Sequence, residues 1–211
     1  MNRNPFLSRI EAARVSAILR TPDTDRAARA MEAAVRGGFR MIEFTLSIPG
    51  ALELVSEFSK REDLLVGTGT VLNPAQAEAS VGAGARFLVS PVADPDVSAA
   101  ARSLDVPSIP GTFTPGEMLA AQRAGADLLK IFPAPADLPR FVTQVLGPFP
   151  DFRLFPTAGV TPENFREVLG AGAFGVGFVA SLFTPADLAS GNDEAIERRA
   201  GAILARLTAP A

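Results

Sequence analysis

The sequence predicts an α/β fold, a single (β/α)8 TIM barrel. Three observations predict it: eight short apolar runs, Ala-rich helical stretches between them, and a helix-start signal that recurs at near-regular spacing. The runs fall at 15–19, 41–46, 64–66, 87–89, 106–109, 128–132, 154–155 and 175–179, each of strand length. Stretches at helical spacing that end in glycine, such as 27–37, 75–82 and 117–125, lie between them. A capping residue followed by proline, which is tolerated at the first helical position, stands at Asn73-Pro74, Asp94-Pro95, Thr114-Pro115, Thr161-Pro162 and Thr184-Pro185. Glu117 is placed to reach back to the Thr114 N–H as a capping box. Successive starts lie roughly 20 to 24 residues apart once the Thr114–Thr161 gap is read as two units.

Strand–helix alternation with short loops implies a parallel sheet with right-handed crossovers, and eight such units suffice to close it. An open doubly wound sheet and a helical solenoid are the competing architectures. No glycine fingerprint of a dinucleotide site follows the first strand, and Thr68-Gly69-Thr70 reads as a turn. No linker or composition shift divides the chain. The expectation is one barrel domain over 1–211, with residues 1–14 an N-terminal helix or extension.

Composition excludes several function classes. At 47% hydrophobic and 20% charged residues the chain is globular rather than disordered. A net charge of -3 and the lack of a basic block give no case for nucleic acid, and Arg198-Arg199 reads as a solvated helix face. No apolar run approaches a membrane span, and residues 1–14 do not read as a signal peptide, so a cytoplasmic location is the default expectation. There is no cysteine, which removes thiolate chemistry, and no histidine, which removes the commonest general base and transition-metal ligand. No cofactor is called for. An Asp/Glu-held magnesium is the one metal option left open.

Lys130, in Asp127-Leu128-Leu129-Lys130-Ile131-Phe132-Pro133, is the sharpest anomaly. Alternation places Leu128, Lys130 and Phe132 on one face of the strand, so the ammonium sits among apolar groups. Such burial lowers a lysine pKa, and a partly neutral amine is what imine formation with a ketone requires. The same lysine could instead pair with a carboxylate or reach out of the strand end. Glu43, on one face with Met41 and Thr45, is a candidate general acid/base, or an ion partner of Lys130 or Arg20. Arg20 follows the first strand, at the C-terminal face where barrel active sites gather. Its planar fork suits a carboxylate or phosphate, though a surface arginine would look the same. Thr157-Ala158-Gly159-Val160 and Ala180-Ser181, after the last two strands, could hold an anion on backbone N–H groups.

The segments Ile42-Glu43-Phe44-Thr45-Leu46, Gly67-Thr68-Gly69-Thr70-Val71-Leu72-Asn73, Ser90-Pro91 and Leu129-Lys130-Ile131-Phe132-Pro133-Ala134 resemble those of the 2-keto-3-deoxy-6-phosphogluconate (KDPG) and 4-hydroxy-2-oxoglutarate aldolases, in order over most of the chain. The resemblance implies a class I carbon–carbon lyase that cleaves KDPG to pyruvate and glyceraldehyde 3-phosphate, as in the Entner–Doudoroff pathway. It makes Lys130 the Schiff-base lysine and Glu43 the acid/base acting through water. Thr70 and Phe132 would line the pyruvate pocket with Pro91 beside it. Thr157 would hydrogen-bond substrate, and Gly159 with Ser181 would hold phosphate. A homotrimer without cofactor is implied, with small-molecule partners only.

Two departures stand out. Ser47 occupies the place where many KDPG aldolases carry arginine, while Arg20 resembles the arginine of the galactonate-specific (KDPGal) branch. Ala158 replaces a glycine of the phosphate loop, and its methyl disfavours positive φ and close approach to an oxyanion. KDPGal or 4-hydroxy-2-oxoglutarate cleavage is therefore an alternative activity. A phosphate-binding barrel isomerase or synthase working without an imine is another, and an inactive barrel that binds a sugar acid is a third.

Overall fold

The computed structural model describes residues 5–209; the N-terminal expectation for residues 1–4 lies outside them. The chain opens with α1 (Pro5–Ala13), β1 (Val15–Leu19), α2 (Thr24–Arg36), β2 (Met41–Thr45), α3 (Ala51–Phe58) and β3 (Leu65–Gly69). It continues with α4 (Pro74–Gly82), β4 (Leu88–Val89), α5 (Pro95–Ser103), β5 (Ser108–Ile109), β6 (Gly111–Thr112), α6 (Pro115–Arg123) and β7 (Leu129–Ile131). It ends with α7 (Leu138–Leu146), β8 (Leu154–Pro156), α8 (Phe165–Gly170), β9 (Val176–Phe178), α9 (Pro185–Ser190) and α10 (Asp193–Thr208).

All strand pairs are parallel. One sheet has the order β5-β4-β3-β2-β1-β9 and the other β6-β7-β8. The first sheet curls, so that β1 lies between β2 and the last strand, β9, with Ala17 opposite both Ile42 and Phe178. The fifth apolar run, 106–109, ends in β5, and the strand resumes as β6 after Pro110, which has no N–H to give to a ladder. Its carbonyl still accepts from Lys130 N–H at 3.0 Å, and Phe174 N–H donates to Leu154 C=O at 2.9 Å between β8 and the start of β9. Among the described residues no helix is long and apolar enough to cross a membrane.

The helix starts follow their capping chemistry. Asn73 accepts from Gln76 N–H, Asp94 from Asp96 N–H, and Thr184 from Asp187 N–H, each followed by proline; Thr114 and Glu117 form the reciprocal box. Caps of this kind contribute about 1 kcal/mol each. Thr161-Pro162 behaves differently. The Thr161 hydroxyl accepts from the N–H of Glu163 and Asn164, Asn164 Oδ1 accepts from Thr161 N–H, and the pair closes a turn. The helix begins only at Phe165, after Asn164.

Strand alternation sorts side chains between two apolar layers. Ile42 and Phe44 of β2 join the larger layer under the helices, where α2 lays down Ala27, Ala30, Met31 and Ala34 at helical spacing. Met41, Leu65, Val89, Ile109, Leu128 and Phe155 point the other way and pack with Leu7 and Ile10 of α1. Phe87 fills the space that Gly67 leaves, since a Cβ on Gly67 would overlap its ring. The N-terminal helix therefore closes one end of the space enclosed by the strands, and the chemistry must open at the other.

Candidate active site

Above the Met41–Leu65–Phe155 layer, the same inward faces carry Glu43 on β2 and Lys130 on β7. Both line one cavity of about 470 Å³ at the C-terminal ends of the strands. Arg20, Phe132, Thr157, Gly159 and Ser181 line it too. That volume is in the ordinary range for a small-molecule site.

Glu43 is buried, with 2% of its surface exposed. Burial pushes its pKa up, opposed by the positive charges of Lys130 and Arg20. Lys130 is partly open to the cavity, and burial lowers its pKa; Glu43 opposes that fall and Arg20 adds to it. Each group is thus driven toward its neutral form, and no ion pair joins them among the described residues. The alternative of a structural Glu43 ion pair finds no contact to support it. Lys130 Nζ lies 5.1 Å from the centroid of the Phe132 ring, one residue pair along the same face.

Gly69 makes room for the carboxylate. It is the last residue of β3, and a Cβ there would overlap Glu43 Oε1. Thr70 follows with φ of 62°, a left-handed conformation that costs a β-branched residue about 1–3 kcal/mol. Its hydroxyl accepts a hydrogen bond from Arg20 Nη2 at 3.1 Å. Thr70 is therefore tied to the site through Arg20 and is not part of the cavity wall. Pro91, expected beside the pocket, backs onto Gly111, where a Cβ would overlap the Pro91 carbonyl.

Thr45, which the sequence reading left without a role, lines the cavity beside Glu43. Its hydroxyl lies 3.2 Å from the Leu19 carbonyl, to which it donates, and 2.8 Å from Ser47 Oγ. The signal for it was the alternation that put it on the face of Glu43. The loops after β8 and β9 are tied together by Ser181 Oγ donating to Val160 C=O at 2.7 Å, and Asn164 Nδ2 holds Gly159 C=O at 2.8 Å. The N–H groups of Gly159, Val160, Ala180 and Ser181 have no acceptor among the described residues. All four residues line the cavity. The positive φ in this loop, 72°, belongs to Gly159, so Ala158 carries no backbone strain of that kind. Among the described residues no cluster of three or more carboxylates is placed to hold a metal ion.

The model of the family described as KDPG and KHG aldolase matches residues 7–199. A probable 2-dehydro-3-deoxy-6-phosphogalactonate aldolase of Rhizobium meliloti (strain 1021) is 35% identical over 172 residues, 80% of this chain and 81% of that protein. A 2-dehydro-3-deoxy-phosphogluconate aldolase of Dickeya dadantii (strain 3937) is 35% identical over 182 residues, 84% of each. The crystal structure of a KDPG aldolase from Legionella pneumophila, with pyruvate captured at low pH as a covalent carbinolamine intermediate, superposes with a TM-score of 0.84. It is 27% identical, and the match covers 94% of this chain and 97% of that one.

Proposed function

The chain belongs to the KDPG and KHG aldolase family, and from that premise we propose that it is a class I aldolase that cleaves KDPG to pyruvate and glyceraldehyde 3-phosphate through a Schiff base on Lys130. The observation that carries the residue assignment is the shared cavity. An amine and a carboxyl, each driven toward neutrality by burial, face the same space from β7 and β2.

Neutral Lys130 attacks the C2 ketone, and the protonated Glu43, directly or through a water, gives the proton with which the carbinolamine hydroxyl leaves as water, so that an iminium and a Glu43 carboxylate result. The iminium accepts the electron pair of the C3–C4 bond as that carboxylate takes the C4 hydroxyl proton. Glyceraldehyde 3-phosphate leaves, the enamine takes a proton at C3, and hydrolysis of the imine frees pyruvate. Arg20 offsets the substrate's negative charge, Phe132 packs on the pyruvate unit, and Thr157 donates to the bound substrate. The N–H edge at Gly159 and Ser181 takes the phosphate. Because Arg20 is present and Ser47 is short, the galactonate epimer is a second substrate to compare.

Two wider readings accompany this one. A single closed (β/α)8 barrel is supported by the β1–β9 pairing and by the backbone bonds at Pro110–Lys130 and Leu154–Phe174. A homotrimer is supported by the exposed apolar side chains Leu72, Val92 and Phe113, which follow consecutive strands on one end of the molecule. Light scattering in solution tests the second.

The test of function is mass spectrometry after incubation with pyruvate and borohydride. A reduced adduct mapped to Lys130 supports the mechanism. Active, folded protein that forms no adduct would overturn it in favour of chemistry without an imine.

A further inference from the structure

Arg20 has two places to put its charge. It is exposed at the end of β1 and lies in the wall of the cavity that holds Lys130. It lies equally in the wall of a second cavity, of about 570 Å³, between the segments that follow β1 and β9. The other charged side chains lining that second cavity are Asp23 and Arg26. Arg26 is buried and paired with Asp193, so the carboxylate left there to draw a guanidinium is that of Asp23. Among the described residues no carboxylate lies within ion-pair distance of Arg20. A long, flexible cation without an ion partner keeps one orientation only where uncharged groups hold it.

Two hydroxyl groups do so, one at each end of the residue. At the far end, Thr70 Oγ1 accepts from Arg20 Nη2 at 3.1 Å. At the near end, the buried Thr45 Oγ1 donates to Leu19 C=O at 3.2 Å. That carbonyl belongs to the peptide plane leading into Arg20. Because the plane is rigid, fixing its oxygen fixes the direction in which Arg20 leaves the strand. The β1–β2 pairing runs only as far as Leu19 and Phe44, so the Thr45 bond stands where that ladder stops. A threonine hydroxyl carries one hydrogen, and Leu19 takes it. In the 2.8 Å contact with Ser47 Oγ the serine is therefore the donor. Ser47 orients Thr45, and Thr45 orients the peptide. On its other side Thr45 pairs with Gly69, the residue before Thr70, so both supports of Arg20 hang on neighbouring points of the sheet.

We propose that Thr45 is a positioning residue, which with Ser47 behind it holds the Leu19–Arg20 peptide so that Arg20 faces the Lys130 cavity and not the second one. The proposal rests on the reading of Lys130 as the Schiff-base lysine and of Arg20 as the substrate's counter-charge. Arg20, Glu43 and Lys130 are the charged side chains that line the Lys130 cavity among the described residues. Burial is the main cause of the lowered Lys130 pKa; Glu43 opposes it and Arg20 adds to it. With Arg20 turned away toward Asp23, the Lys130 amine becomes more basic and stays protonated to a higher pH.

The experiment follows pyruvate-dependent borohydride trapping as a function of pH, together with kcat and KM for the sugar acid phosphate. Thr45→Val should raise KM about fivefold, the effect of one uncharged hydrogen bond, with kcat within about twofold of the unaltered enzyme. The acid limb of its trapping profile should move to higher pH, in the direction of Arg20→Ala, and Thr45→Ser should restore it. Once Arg20→Ala is in place, Thr45→Val should add no further shift, because the two residues act through one set of contacts. Ser47→Ala, at an exposed position, should move the limb the same way by less. An acid limb that stays put in folded Thr45→Val would overturn the proposal, and so would a shift of equal size in the absence of Arg20. Should Thr45→Val fail to fold, Ser47→Ala decides, and an unmoved limb there overturns the proposal. No adduct on Lys130 in the unaltered enzyme sinks the Schiff-base reading and the positioning role with it; an adduct whose pH profile ignores Thr45 sinks the positioning role alone.

Discussion

Arg20 Nη2 donates to Thr70 Oγ1 at 3.1 Å, a bond that reaches from the end of β1, across the end of β2, to the residue after β3. It sets a cation over the strand that carries Glu43, and its acceptor is a threonine in a costly left-handed backbone. Arg20→Ala should raise KM for the sugar acid phosphate about 10- to 100-fold, the range for losing hydrogen bonds to a charged group. Pyruvate trapping on Lys130 should persist. Initial-rate kinetics check this; an unchanged KM would mean that the guanidinium does not touch substrate.

Lys130→Met should abolish both turnover and trapping while leaving the fold intact, because the change replaces a poorly solvated amine with an apolar chain of similar length. Glu43→Gln should lower kcat about 10²- to 10⁴-fold and still permit the borohydride adduct, since the amide cannot accept the C4 proton. Substantial lyase activity in the lysine variant would end the Schiff-base assignment.

The direction of each pKa fixes a stability test. Glu43 binds its proton more tightly in the folded state, so its contribution is full at acid pH and is lost as pH rises through the raised value. Lys130 has the opposite sense: its contribution is full at alkaline pH and is lost as pH falls through the lowered value. Glu43→Gln stays neutral throughout. Its stability relative to the unaltered protein should therefore be greater at about pH 8 than at about pH 5, as read by urea titration. A pH-independent difference would show that Glu43 titrates as an ordinary carboxyl.

Gly69→Ala should displace the Glu43 carboxylate and lower kcat about 10²-fold, the scale of a 1 Å misplacement of a reacting group. Circular dichroism should report an unchanged fold. Full activity in this variant would mean that the carboxylate has room to move without losing function.

Much of this site could be read from alternation alone. A period of two put Met41, Glu43 and Thr45 on one face and Leu128, Lys130 and Phe132 on another, and the folded chain turns both faces to the same cavity. Cap-plus-proline pairs marked the starts of α4, α5, α6 and α9, because that chemistry is local. It misled at Thr161-Pro162, where Asn164 offered the backbone a competing turn. Thr70, expected by resemblance in the wall, reaches the cavity's residues through Arg20 instead. The role of Gly69 was not legible in the chain, since it depends on what lies across a strand rather than along it. The break at Pro110 was legible in principle, because proline cannot donate to a ladder.

Leu7 and Ile10 of α1 pack against the inward layer of Met41, Leu65 and Phe155, so everything that enters the cavity must come and go from the Arg20 side. On the proposed Schiff-base route pyruvate stays covalently attached to Lys130 until the imine is hydrolysed, so the aldehyde should depart first and pyruvate last. Pyruvate should then inhibit competitively against the sugar acid phosphate, while the aldehyde should give a mixed pattern.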